Sequence, residues 1–181
     1  MGTAVSIGRR VWTGIGALLL SACAGMGPGT LTPGVSTGPE VEARLGQPAK
    51  TWQNADGSRQ LAFVSGPGGT QTFMAFIGPD GKLTRLVGVL NEYYFNLIRP
   101  GMTQDEVLAL LGPASLNPTP YRRTDTLTWS WLYCQSQNVQ QYFDVNFDAT
   151  SGRVRNTGQH QFLHGYLPGT PACVMQNIAL P

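Results

Sequence analysis

Three cysteines, two histidines and a scatter of carboxylates are the side chains able to act as nucleophiles, bases or metal ligands. Their spacing speaks against each role. His160 and His164 can share one face of a strand, as can Asp144 and Asp148, but neither pair has a third ligand at metal spacing. Cys134 has no histidine near it in sequence, no Cys-x-x-Cys pair occurs, and no serine sits in a Gly-x-Ser-x-Gly elbow. There is no Walker loop, dinucleotide fingerprint or helix-borne histidine pair. Asp105 and Glu106 stand where helix capping accounts for them. The expectation is a protein that is not an enzyme and holds no metal and no cofactor.

Cys23 has a different chemistry. Arg9-Arg10 precede an apolar run from Val11 to Leu20, followed by Leu20-Ser21-Ala22-Cys23. A basic flank, a short apolar core and small residues before a cut are the parts of a secretory signal peptide. The run is shorter than the ~20 apolar residues a membrane-spanning helix needs. A cysteine directly after Leu-Ser-Ala resembles the lipobox of bacterial lipoproteins. That resemblance implies a signal peptide over 1–22, a lipid on the Cys23 thiol and an acylated new amino terminus. Several acyl chains anchor a protein stably where one does not. Ala24 after the cysteine resembles the pattern sent to the outer membrane, so the expected location is its periplasmic face. Ala22-Cys23-Ala24 also fits an ordinary A-x-A cleavage site, which would release a soluble product.

Arg9 and Arg10 account for two of the 12 basic residues, which leaves ten against ten acidic ones after cleavage. A near-zero charge argues against a nucleic-acid partner, which needs a basic stripe, and against electrostatic docking on anionic lipid. Charged residues make up 12% of the chain, about half the usual ~25%. The 41% hydrophobic content is enough for a core. With Cys23 lipidated, Cys134 and Cys173 remain. An even pair in an oxidising compartment reads as one disulfide, with two separate buried thiols as the alternative.

Residues 23–36 are rich in Gly, Pro and Thr and read as a flexible tether. Beyond them the chain repeats itself. Leu31-Thr32-Pro33-Gly34 and the run Glu40–Pro48 match Ile98-Arg99-Pro100-Gly101 and the run Asp105–Pro113. Val41 pairs with Val107, Leu45 with Leu111 and Gly46 with Gly112, each 66 positions apart. Asp80-Gly81-Lys82-Leu83 matches Ser151-Gly152-Arg153-Val154 at an offset of 71. In each copy a Thr-x-x-Glu capping box, Thr37 with Glu40 and Thr103 with Glu106, opens a helix. Gly46 and Gly112 close it. Strands are predicted over 60–65, 70–78 and 83–90, then over 127–133, 139–148 and 153–162. A helix over 91–97 joins the copies. The predicted fold class is α+β, two tandem units of short helices packed on antiparallel sheet. The units span 37–90 and 91–165, with a C-terminal tail over 166–181.

The run Pro100-Gly101-Met102-Thr103-x-x-Glu106-Val107-x-x-Leu110-Leu111-Gly112 resembles the signature of the SmpA/OmlA (BamE-like) family of outer-membrane lipoproteins. The likeness covers residues 98–162 well. The first copy matches poorly, since it lacks the Met-Thr pair and has Gly38 in its helix. Two such units in tandem resemble the β-lactamase inhibitor protein fold. The resemblance implies a protein-binding module in outer-membrane protein assembly or envelope integrity. Its partner would be an envelope protein, including the barrel-assembly machinery, and its contact with the membrane would be the lipid anchor.

Trp129, Trp131 and Tyr133 alternate along one strand and so share a face, while Thr128, Ser130 and Leu132 share the other. Large rings with a polar handle suit an interface, or else they pack on the helix of the same unit. On the next strand Phe143, Val145 and Phe147 read as core, which turns Tyr142, Asp144 and Asn146 outward. Arg122 and Arg123 form the most basic spot in the mature chain. The candidate partner contacts are therefore Trp129, Trp131, Tyr142, Arg122 and Arg123. An inhibitor that caps a periplasmic hydrolase with its sheet face is the second reading. A small-ligand or lipid carrier is a third.

Overall fold

A computed structural model describes residues 31–136, 139–161 and 173. The signal segment, Cys23, the tether up to residue 30, His164 and the tail apart from Cys173 lie outside these residues. The order is α1 (Gly38–Leu45), β1 (Lys50–Gln53), β2 (Arg59–Ser65), β3 (Gln71–Ile77), β4 (Leu83–Gly88), α2 (Glu92–Phe95), α3 (Gln104–Leu111), β5 (Thr119–Tyr121), β6 (Thr126–Ser136), β7 (Val139–Asp148) and β8 (Val154–Gln161). The strands form two antiparallel four-stranded meanders, β1–β4 and β5–β8. The class is α+β, as the repeat predicts. Two strands are additional to the expected six: β1 and β5, each at a sheet edge.

The internal repeat holds at the level of single hydrogen bonds. Glu40 and Glu106 each accept the amide of their own capping threonine, Thr37 or Thr103, at 2.7 Å. Thr37 bridges Lys82 and Thr103 bridges Arg153. Gly34 N–H donates to Leu83 O and Gly101 N–H to Val154 O. Leu83 N–H donates to Ser36 O and Val154 N–H to Met102 O. The matched Val41 and Val107 are both fully buried. Residues 31–36, placed in the tether by composition, are thus bonded to the start of β4, and Leu31 packs on the first core.

The two cores differ in how they are covered. Val41 of α1 packs with Leu61, Phe63, Phe73, Ala75 and Ile77 on one face of the first sheet. The opposite face presents Ala62 and Met74, and α3 of the second unit lies against it. Gln60 Nε2 donates to Ala109 O at 2.6 Å across this joint. Covering on both faces is why β2 and β3 read as continuous apolar runs rather than alternating ones. Val107 and Leu111 of α3 meanwhile enter the second core with Trp131, Val145 and Phe147. The second helix is therefore buried on two sides, not on the one side that its apolar stripe suggests.

Gly112 is where these demands meet. Its φ of 76° and ψ of −171° lie in a region open essentially to glycine alone, and its N–H caps Leu108 O. The positive φ agrees with expectation; the ψ is extended rather than left-handed helical. A Cβ here would come within 2.8 Å of Thr72 Cγ2. Gly46 has nearly the same dihedrals, but a Cβ there would meet nothing within 4 Å. Gly46→Ala is expected to cost about 1–3 kcal/mol of backbone strain. Gly112→Ala is expected to cost that plus about 1–3 kcal/mol of overpacking. Urea unfolding of both variants tests the difference; equal losses would remove the contact with Thr72 from the explanation.

Candidate functional site

Alternation along β6 and β7 divides the second sheet into an apolar inner face and an outer one that is polar except at buried Leu132 and the Cys134–Cys173 disulfide. Trp131 is fully buried on the inner face, and its indole Nε1 donates to Gly112 O at 3.0 Å. Tyr133 is buried beside it, edge-on to Phe95, and burial raises its phenol pKa. Trp129 packs against Phe147 and Trp131 and is only half-buried. Its indole nitrogen is buried without a partner among the described residues. The tryptophan row is thus the core face, and Trp131 is withdrawn from the candidate partner contacts. One short helix does not cover all three rings: Trp131 lies against the Gly112 end of α3, Tyr133 packs on Phe95 of α2, and Trp129 at the end of the row stays half-exposed.

The outer face carries hydrogen-bonded ladders running across three strands. Thr128 Oγ1 donates to Asn146 Oδ1 at 2.6 Å, and Asn146 Nδ2 to Asn156 Oδ1 at 2.8 Å. One rung further, Ser130 Oγ donates to Asp144 Oδ1 at 2.6 Å, and His160 Nδ1 lies 2.7 Å from Asp144 Oδ2. Tyr142 stacks on His160 with ring centroids 5.1 Å apart. Serine, aspartate and histidine here do not form a nucleophile chain. The carboxylate stands between the other two, so the hydroxyl is bonded to Asp144 and not to the imidazole, and the serine–histidine contact of a triad is missing. The sequence places Ser130, Tyr142 and Asp144 on the outward side, but the ladder depends on a register that only the folded sheet shows.

The ladders floor an open groove of about 340 Å³, lined by Tyr121, Thr126, Thr128, Asn146, Arg155 and Asn156 among others. Arg155 holds one end of it. Its Nη2 pairs with Asp148 at 2.5 Å and its Nη1 donates to Thr124 O at 2.7 Å. Asp125 turns the chain there with a φ of 47°, and its carboxylate accepts Thr150 Oγ1. Aspartate tolerates this left-handed position better than most side chains. Arg122 and Arg123 form a short 3-10 turn next to Tyr121 and are exposed at the groove's rim. Tyr142 lies on the same outer face, half-buried. Cys134 is bonded to Cys173, which places residue 173 against β6 at the other end of the sheet.

No family model matches the sequence, and no curated protein matches it. Among solved structures, an extracellular protein containing a SCP domain from Bacillus anthracis str. Ames aligns with 87% of this chain and 50% of its own. The identity is 9% and the TM-score 0.27, so this likeness bears on neither the fold nor the function.

Asp148 anchors the groove and sets its acid sensitivity. The Ser151 amide and then Arg155 hold its carboxyl down from 3.8 to about 2. A carboxyl lowered in the folded state stabilises above its unfolded pKa and loses that contribution as pH falls through the folded one. Stability is expected to fall from about pH 4 to about pH 2. Glu40 and Glu106, lowered by their capping amides, act in the same direction. Asp148→Asn is expected to flatten this acid slope in urea unfolding followed against pH. A slope unchanged in the variant would contradict the assignment.

Proposed function

We propose that the chain is a non-enzymatic envelope lipoprotein that works as a protein-binding module. Its role is in outer-membrane protein assembly or envelope integrity, as the resemblance to the SmpA/OmlA family implies. Lipidated Cys23 would hold it to the periplasmic face of the outer membrane. The observation that supports binding is the asymmetry between the two sheets. The outer face of the first is apolar at Ala62 and Met74, and there the end of α3 and Gly112 lie against it. Among the described residues, no α-helix covers the corresponding face of the second; Gly68 meets it at Leu132 and Cys173 at Cys134, and the rest is built of Thr, Ser, Asn, Asp, His and Tyr side chains. Polar side chains joined in ladders present fixed donors and acceptors, and Tyr121, 53% exposed at the rim, adds the kind of ring that anchors an interface.

The same face would serve an inhibitor of a periplasmic hydrolase, and one experiment separates the two readings. A photocrosslinking residue at Tyr121 or Tyr142 is expected to capture barrel-assembly subunits in intact envelopes. The same residue at Gln47, exposed just beyond α1 in the first unit, is expected not to. Capture of a single hydrolase would favour the inhibitor. Equal capture from Gln47, or none from the sheet face, would overturn the binding role of this face.

A further inference from the structure

Gly158 has no explanation within its own fold. It sits in the middle of β8, directly opposite Asp144. Its φ is not positive, so any residue could adopt its backbone. A Cβ there would meet nothing within 4 Å. Gly88, at the end of β4, differs: the Phe73 ring lies 3.6 Å from the place its Cβ would take. An interior strand glycine weakens the strand and marks a bulge, a bend or a close approach of another molecule; the register shift between β7 and β8 lies elsewhere, at Asn146/Phe147.

The pseudo-symmetry sharpens this. The first sheet pairs Met74 with Val87, and the second pairs Asp144 with Gly158. Both sheets carry their register shift at matching places, Phe76/Ile77 and Asn146/Phe147, so these pairs occupy equivalent positions. In the first sheet Met74 packs beneath Gly112, the residue that ends α3. In the second a carboxylate replaces the thioether, a glycine replaces the valine, and no described helix lies above.

We propose that Gly158 forms the floor of a notch that receives an arginine side chain from the bound partner, with Asp144 as its counter-charge. This rests on the reading of the outer face as a protein-binding surface. The stacked rings of Tyr142 and His160 wall one side of the notch, and the Asn146–Asn156 amide pair walls the other. Each Asp144 oxygen accepts one bond from within the protein and has a second lone pair to offer. A planar guanidinium suits a carboxylate flanked by an aromatic face, and it loses less hydration than an ammonium. Arg155, the cation nearest the notch, is held by Asp148 and Asp125, and His160 lies against Asp144 through its Nδ1.

The test is an amide-shift titration of the isotope-labelled protein with N-acetylarginine amide and with its neutral isostere N-acetylcitrulline amide. The arginine probe is expected to move Asp144, Gly158 and His160, and to bind about tenfold or more weakly in Asp144→Asn, as loss of a charge-assisted bond implies. Gly158→Val is expected to abolish binding while leaving the protein as stable or more stable, since valine suits a strand. Equal shifts with citrulline, binding that survives Gly158→Val, or unfolding caused by that change would overturn the proposal. The probe needs no partner. Its failure alongside successful crosslinking would sink the notch and leave the binding surface. Its success without crosslinking would leave a cation site and sink the protein-binding reading.

Discussion

One short helix has to satisfy two sheets, and most of the architecture follows from that demand. α3 gives Val107 and Leu111 to the second core and turns its Ala109–Gly112 backbone to the first sheet. A side chain on that second surface would hold the sheets apart. Glycine permits the close approach, stops the helix, and leaves a carbonyl for Trp131. Leu90 and Tyr94 then pack on the cores at both sides of the joint. A buried interface of this kind makes two small units, each marginal alone, into one body.

The repeat also explains the character of the exposed face. In stacked units each sheet is covered by its successor, and the last needs a polar outer surface to remain soluble. The second sheet meets that need, but solubility asks only for polarity. It does not ask for a three-strand ladder with oxygen and nitrogen atoms 2.6–2.8 Å apart, nor for an unhindered glycine in a strand. Those features favour recognition over simple capping.

Much of this was legible in the residues. The Val41/Val107 match, both capping boxes and the helix-ending glycines depend on local chemistry, which spacing reveals. The Cys134–Cys173 pairing followed from there being no other candidates once Cys23 was set aside. Edge strands β1 and β5 were missed because each is short, exposed on at least alternate residues, and flanked or interrupted by proline. The contact of α3 with the first sheet was missed because backbone atoms make much of it, and they leave no hydrophobic signal. The runs Leu61-Ala62-Phe63 and Phe73-Met74-Ala75 were the available clue, since a sheet covered on both faces loses its alternation. For the tryptophan row, period two identified a face but not which face was core. The Ser130–Asp144–His160 ladder depends on pairing across three strands, which no local pattern encodes.

By this reading α3 couples the two sheets into one cooperative unit. Native-state hydrogen exchange tests it directly, by comparing the opening free energies of amides in β3 and β7 as denaturant is added. If the helix is shared as described, the most protected amides of both strands converge on one free energy and one denaturant dependence. Protection that persists in β3 after β7 has opened, or the reverse, would show two independent units and contradict that coupling.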